Sequence, residues 1–312
     1  MSEVFHTRRR TVRDAAPVTV GQLIERSARR LQRARLFYGH GTGNARDEAA
    51  ALVLHALGLP PQPGAGALRR RVGVRARAAA AALVGRRIQE RIPSAYLTGI
   101  TWFAGLPIHV DARALVPRSP LAELIERGFA PWADPARIRR ILDLGTGSGC
   151  IAIACAKYLP RARVDAVDIS VQALALAQLN VRRHRLGRRV RLLRSDHFAA
   201  LGRSSYDIIV SNPPYVGARE MRQLPPEYRH EPRLGLAAGR AGLDSVTVIL
   251  REAARHLTPR GLLVVEVGNT ESAVRRAFPR LPFVWLEFAR GGGGVFLLTR
   301  EQLRGTQNSH VR

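Results

Sequence analysis

Lysine is almost missing from this sequence. Of 50 basic residues in 312, Lys157 is the only lysine, and just 24 acidic residues oppose them, leaving a net charge of +26 carried by arginine. Charge of that size suits contact with nucleic acid, including rRNA, through a basic surface. Alanine, glycine and proline are abundant too, which is equally what a GC-rich genome produces, so the charge assigns no partner by itself. Arginine is spread along the whole chain and is densest in "RARLFYG", "RRRVGVRAR" and "VRRHRLGRRVRLLR".

Cysteine is scarce. Cys150 and Cys155 are the only two, and their spacing fits neither a redox pair nor a zinc site, so a disulfide scaffold is excluded and both read as reduced core residues. Long apolar runs are also missing: none approaches the roughly 18–20 residues that span a bilayer. The opening "MSEVFHTRRRTVRDAAPV" is basic but no apolar segment follows it, unlike a secretory signal. A soluble, cytoplasmic protein with no membrane partner is expected. A hydrophobic fraction of 46% lies well above that of disordered chains.

The chain divides by rhythm. Residues 1–17 read as a disordered basic arm. Over 18–95, "TVGQLIERSARRLQRA", "ARDEAAALVLHALGL" and "ARAAAAALVGRRIQERI" repeat apolar residues every three or four positions, which predicts a small helical domain. Thr19 and Asn44 are the expected N-caps, and Gly58 with Pro60 and Pro61 an expected stop. Residues 96–120, "TWFAGLPIHVDARALVPRSP" within them, alternate about Asp111–Arg113 and read as a β-hairpin joining two domains.

From 121 to 303 strands and helices alternate, and 304–312 is expected to be a tail. The candidate strands are "RRILDLG", "RVDAVDI", "RVRLLRSD", "YDIIVSN", "GLLVVEVG", "FVWLEFA" and "GVFLLTR". Several are almost continuously apolar, as when helices cover both sheet faces. The last two are separated by hairpin spacing. The expected fold is therefore α/β: a doubly wound, Rossmann-like, mostly parallel sheet with an antiparallel final strand, plus the helical domain.

"ILDLGTGSGC" carries the first chemistry. A strand ends at Asp143 and Leu144, and Gly145, Gly147 and Gly149, with Thr146 and Ser148 between them, lead into a helix. Glycines there allow a tight turn and close approach of a ligand. The third glycine comes too early for a phosphate-binding dinucleotide fingerprint. Asp168 ends the next strand, where a carboxylate can accept from ribose hydroxyls. Asp196 ends the third, where it can accept from an adenine amino group. A nucleoside with a zwitterionic amino-acid arm fits this set better than NAD, so S-adenosyl-L-methionine is the expected cofactor, with Asp143 near its ammonium group and no metal.

"SNPPY" ends the fourth strand, at the edge where open α/β sheets bind ligands. Pro213 and Pro214 fix the backbone around Asn212. The side-chain oxygen of Asn212 and the carbonyl of Pro213 can accept both N–H groups of a planar –NH₂, aiming its nitrogen at a methyl donor, with Tyr215 packed on the planar group. Such a nitrogen belongs to adenine or to a side-chain amide, and the corner alone leaves both open.

With "DLGTGSG" and "NPPY" together the sequence resembles the amino-methyltransferases, which include adenine-specific nucleic-acid enzymes and protein N(5)-glutamine methyltransferases of the HemK/PrmB type. "YLTG", "TWFAGLPIHVDARALVPRSPLAELIE", "LPPEYRHEPRLGLAAGRAGLD", "VEVGNT" and "WLEFARGGGGVFLLTREQL" resemble the branch acting on a glutamine of large-subunit ribosomal protein three, over about Val18 to Leu303. The release-factor branch carries "PRPET" where Pro117-Arg118-Ser119-Pro120 stands here, and it lacks "EYRHEP". The resemblance implies methylation of a ribosomal protein, free or in an assembling large subunit, with S-adenosyl-L-homocysteine as product. It implies that the helical domain binds substrate. His197 replaces a tryptophan common beside the adenine-contacting aspartate. His230 and Glu231 either help hold the substrate or only pin their loop. Glu266, ending the fifth strand, reads as structural or as a substrate contact. An adenine methyltransferase, a release-factor methyltransferase and a non-enzymatic ribosome-assembly factor are the rival readings.

Overall fold

The computed structural model describes residues 18–307. The arm expected over 1–17 and the last five residues of the expected tail lie outside them. The chain forms two compact units, one ending at Leu36 and resuming over Asn44–Gln89, the other made of Phe37–Gly43 and the chain from Glu90 onward.

The first unit is mainly helical, with helices Val20–Arg33, Ala45–Ala56, Ala65–Arg69 and Val74–Glu90. The first starts with a capping box: Thr19 Oγ1 accepts from the Gln22 amide at 3.2 Å and Gln22 Oε1 accepts from the Thr19 amide at 3.0 Å. Asn44 caps the second, accepting from the amides of Arg46 and Asp47. Val20, Ile24, Ala28 and Leu31 recur at helical spacing and are buried. Arg87 is fully buried as well, with its Nε 3.1 Å from Glu48 Oε1. A two-residue ladder, Val18–Thr19 against Arg71–Val72, adds strand to a unit whose periodicity predicts helix alone. Two residues are too few for periodicity to register.

The second unit is built on a seven-stranded sheet. Its strands are β1 (Arg140–Leu144), β2 (Arg163–Asp168), β3 (Val190–Arg194), β4 (Tyr206–Ser211), β5 (Leu257–Glu266), β6 (Val284–Leu286) and β7 (Val295–Thr299). The order is β6-β7-β5-β4-β1-β2-β3, parallel except for β7, which runs antiparallel to both β5 and β6. Side chains alternate across the sheet. Ile141, Val164, Ile208 and Val264 join the core on one face. Leu142, Ile209, Leu263 and Phe296 join the core on the other. Helix Cys150–Tyr158 covers the first face and helix Asp244–His256 the second, which is why the central strands are largely apolar. This is the doubly wound sheet that the alternation predicts.

Between the helical unit and β1, Ile100–Phe103 pairs antiparallel with Leu106–His109. The chain reverses at Ala104–Gly105, where φ is +48° and +69°, rather than about Asp111–Arg113. Two left-handed residues match the right-handed twist of the paired strands. Asp111–Arg113 forms the next turn instead, closed by the Ala114 amide on the Asp111 carbonyl. Helix Arg300–Gln307 runs through the first four residues of the expected tail. Among the described residues no helix is long and apolar enough to cross a membrane, and no cluster of His, Cys, Asp and Glu could hold a metal ion.

Candidate active site

The sheet order turns back between β1 and β4, so the loops leaving these strands diverge and open a crevice at their C-terminal ends. The crevice is a cavity of about 680 Å³, reaching from the ends of β2 and β3 across β1 and β4 to the end of β5.

The glycine loop forms its floor. Gly145 and Gly147 have φ of +72° and +55°, and a side chain on Gly145 would meet nothing within 4 Å, so the missing Cβ leaves open space at the cavity. The amides of Gly145 and Thr146 both donate to the Val167 carbonyl at 2.9 Å, which ties the loop to β2. Thr146 and Ser148 also line the cavity. Gly149 does not: at φ +81° it begins helix Cys150–Tyr158, and a Cβ there would lie 3.2 Å from that of Ala177. Its role is close helix packing.

Asp143 differs from expectation. It points to the same sheet face as Ile141, is fully buried beneath the loop and does not line the cavity. Its Oδ2 accepts from Thr146 Oγ1 at 2.6 Å and from the Ala152 amide at 3.1 Å, so this oxygen fixes the loop and caps the following helix. Burial outweighs both bonds and pushes its carboxyl up to about 7.

Asp168 and Asp196 do line the cavity. Each Asp168 oxygen accepts one backbone amide at 2.9 Å, Oδ2 from Gly147 and Oδ1 from Ser170, which leaves a lone pair on each for a ligand. Burial raises its carboxyl above the ordinary range despite those bonds. Asp196 is exposed, and its Oδ1 lies 2.7 Å from His197 Nδ1, while His197 Nε2 lies 3.1 Å from Ser245 Oγ. Held from both ends, His197 forms part of the cavity wall. Two carboxylates with accepting capacity and a loop whose missing Cβ leaves open space suit a nucleoside with an amino-acid arm.

At the end of β4 the segment around Asn212 is anchored on both sides. Ser211 Oγ donates to the Leu144 carbonyl at 2.8 Å, and Val216 is bridged to Leu236 and Ala238 through backbone hydrogen bonds. Tyr215 rests where two glycines make room. A Cβ on Gly268, at φ +47°, would come within 2.8 Å of the Tyr215 ring, and one on Gly242 within 2.3 Å of its carbonyl oxygen. Asn212, Pro213, Pro214 and Tyr215 all line the cavity, and the Asn212 side chain makes no hydrogen bond among the described residues.

His230 and Glu231 do not line the cavity. His230 Nε2 lies 2.8 Å from the Glu90 carbonyl. Glu231 is buried, accepting from both Arg118 Nη atoms and from the Val116 amide, with His40 Nε2 at the longer distance of 3.5 Å. Both residues pin the loop, the second of the two roles the sequence left open. Burial alone would raise the Glu231 carboxyl; His40 and Arg118 instead hold it down to about 2. Arg118 in turn lies over the Tyr228 ring, 5.2 Å from its centroid, with His40 against the same ring at 4.6 Å.

The cavity wall also includes Arg118, Ser119, Tyr228, Glu266 and Asn269. Ser119 Oγ donates to Glu266 Oε2 in a short hydrogen bond. In the sequence Ser119 stands out only as a departure from a related motif, and Arg118 only as a residue shared with it. Their partners lie more than a hundred residues downstream, where no local pattern reaches.

A family profile, "Methyltransferase small domain", matches residues 131–224. The chain is 48% identical to a ribosomal protein uL3 glutamine methyltransferase of Bordetella pertussis over 286 residues, covering 91% of this chain and 96% of that one. It is 50% identical to one from Xylella fastidiosa, covering 91% of each chain. It is 45% identical to one from Neisseria meningitidis, covering 93% of this chain and 95% of the other. Among solved structures, a methyltransferase from Pyrococcus furiosus superposes with a TM-score of 0.45 at 21% identity, over 63% of this chain and 89% of its own.

Proposed function

The chain belongs to the ribosomal protein uL3 glutamine methyltransferases and uses S-adenosylmethionine; from that membership we propose that it methylates the side-chain amide nitrogen of a glutamine in uL3. S-Adenosylhomocysteine is the second product.

Bound S-adenosylmethionine supplies an electrophilic methyl group on a cationic sulfur. Asp168 would accept from its ribose hydroxyls and Asp196 from its adenine amino group, beside the His197 wall. The exposed backbone of Gly145–Gly147 would admit the amino-acid arm.

The residues of the β4 corner deal with a poor nucleophile. An amide nitrogen shares its lone pair with the carbonyl, so it must be held and turned toward the methyl group. Asn212 Oδ1 and the Pro213 carbonyl would accept its two N–H groups, and Tyr215 would cover the amide plane. Because the corner is fixed before substrate arrives, no reorganisation is needed at the moment of transfer. The observation that carries this reading is an Asn212 amide at the cavity with no hydrogen-bond partner among the described residues, between the anchored Ser211 and Val216.

The helical unit is proposed to contribute to substrate binding, and the arginine-rich surface to contact rRNA in an assembling large subunit. Arg26, Arg29, Arg30 and Arg33 are exposed on one helix, and Arg182, Arg185 and Arg188 cluster after β2. Binding through such a surface weakens steeply with salt.

The test uses isotopically labelled cofactor with separated ribosomal protein uL3 and rRNA. Label on one glutamine-bearing uL3 peptide supports the reading. Label in RNA supports an adenine methyltransferase instead.

A further inference from the structure

We infer that Glu266 is a catalytic residue of this transfer: it takes the proton that the amide nitrogen gives up as it is methylated. This rests on the glutamine reading above and deepens it.

Placement comes from the sheet. Ser211 of β4 is paired with Val265 of β5, so Asn212 and Glu266 are the next residues along two adjacent parallel strands. Both line the cavity. Glu266 is only 4% exposed, yet its hydrogen bonding is incomplete: Oε2 accepts from Ser119, and Oε1 has no partner among the described residues. Asp168 and Asp196 belong to the other side of the cavity, beyond β1. Glu220 also lines the cavity, but from a short helix (Ala218–Met221) rather than from the sheet edge.

The chemistry requires such a group. Asn212 Oδ1 and the Pro213 carbonyl can hold N–H groups, but neither can keep a proton. As the nitrogen–carbon bond forms, the sulfur–carbon bond breaks and positive charge passes from sulfur to nitrogen. One N–H bond then breaks, its electron pair staying on nitrogen and its proton going to Glu266 Oε1. Sulfonium, neutral amide and carboxylate become thioether, neutral N-methyl amide and carboxylic acid, so charge balances. The acid returns its proton to water as the products leave.

The environment suits that role. Burial pushes the Glu266 carboxyl up to about 7, against the opposing pull of Ser119 and Arg118. A base is most effective when its pKa lies near the working pH. The charged and titratable groups facing it are Arg118 from the preceding loop and Tyr215 from the β4 corner. Arg118 stays charged, and burial raises the Tyr215 hydroxyl further above its ordinary range, so neither titrates near neutrality. On the far side β7 presents Val295, which is apolar.

The decisive measurement is kcat against pH for wild type and Glu266→Gln on purified uL3, with cofactor affinity by calorimetry as the check on folding. The expected fall in kcat for E266Q is about 100-fold or more. Cofactor affinity and KM for uL3 should stay within about threefold. Wild-type kcat should decline as pH drops below about 7, a limb that E266Q lacks. Ser119→Ala, which removes a donor from Oε2, should move that limb to higher pH. An active wild type with E266Q turning over at the same rate, or keeping the same limb, overturns the assignment. The same loss in Glu220→Gln and not in E266Q would transfer the role to Glu220 and overturn it too. Failure of wild type to methylate uL3 would overturn the underlying reading, and this assignment with it.

Discussion

Arg118 and Glu231, 113 residues apart in sequence, meet through both prongs of the guanidinium: Nη1 lies 2.6 Å from Oε1 and Nη2 2.7 Å from Oε2. The pair joins the segment that lines the cavity ahead of β1 to the long loop after the β4 corner. Loop shape at the acceptor end therefore depends on a salt bridge whose carboxylate lies outside the cavity lining.

Glu231→Gln should destabilise the protein by about 2–3 kcal/mol, below the usual 3–5 for breaking a buried pair because Arg118 is partly exposed. Its carboxyl lies below the unfolded value, so its stabilisation is present above pH ~4.5 and lost as pH falls toward about 2. Chemical unfolding at a series of acidic pH values should show a steeper decline for wild type than for the variant. Equal slopes would mean the pair contributes nothing.

Asn212→Ala should lower kcat by about 100- to 1,000-fold, the loss typical of one preorganised polar contact to the reacting group. Cofactor affinity should be nearly unchanged, since Asn212 is assigned to the acceptor nitrogen. Near-normal turnover on intact uL3 would remove Asn212 from the mechanism.

Asp168→Asn should weaken cofactor binding. Asp168 uses one oxygen for the Gly147 amide and the other for the Ser170 amide, and asparagine can accept only one of them. The expected loss is about 1.5–3 kcal/mol, read by calorimetry as a rise in Kd. Because burial raises this carboxyl, wild-type affinity should also decline in mild acid before an ordinary aspartate would protonate. A pH-independent Kd would contradict that.

Gly268→Ala and Gly242→Ala should both disturb Tyr215, but unequally. The first pushes a Cβ against an aromatic ring that can tilt; the second drives it into the Tyr215 carbonyl oxygen, which is backbone. Left-handed strain alone costs about 1–2 kcal/mol at each site. Gly242→Ala should therefore lose more stability, and Gly268→Ala should fold yet turn over slowly. Melting temperatures with kcat would separate the two.

All seven strands of the sheet can be read from the chain: the central ones are apolar runs buried on both faces, and the edge strands Val190–Arg194 and Val284–Leu286, though partly exposed, keep their apolar residues between turns. Thr19 and Asn44 can be read as caps because the motif is complete within four residues. The glycine loop and the "NPPY" corner declare themselves because their chemistry is local. Asp143 is harder: as a strand-end acid beside a glycine loop it reads like Asp168. Only the sheet face it points to, toward Ile141 and under helix Cys150–Tyr158, shows that it supports the loop from below. In the sequence Glu231 and His230 suit a substrate contact as well as a loop anchor, and only their bonds to Arg118 and the Glu90 carbonyl reveal the anchor. Contacts across a hundred residues leave no periodicity. The reversal at Ala104–Gly105 escapes for another reason, since alanine seldom adopts a left-handed turn.

Phe37–Gly43 belongs to the catalytic unit although the chain on either side of it belongs to the helical one. Phe37 gives its amide to the buried Glu227, and His40 lies against Glu231 and Tyr228. No single cut can therefore separate the two units. A fragment beginning at Glu90 would keep all seven strands of the large sheet and every "NPPY" residue, yet leave two interior carboxylates short of partners. Exchanging the chain up to Gln89 for that of another protein would carry Phe37–Gly43 away with it, and with that segment the contacts it makes to Glu227 and Glu231.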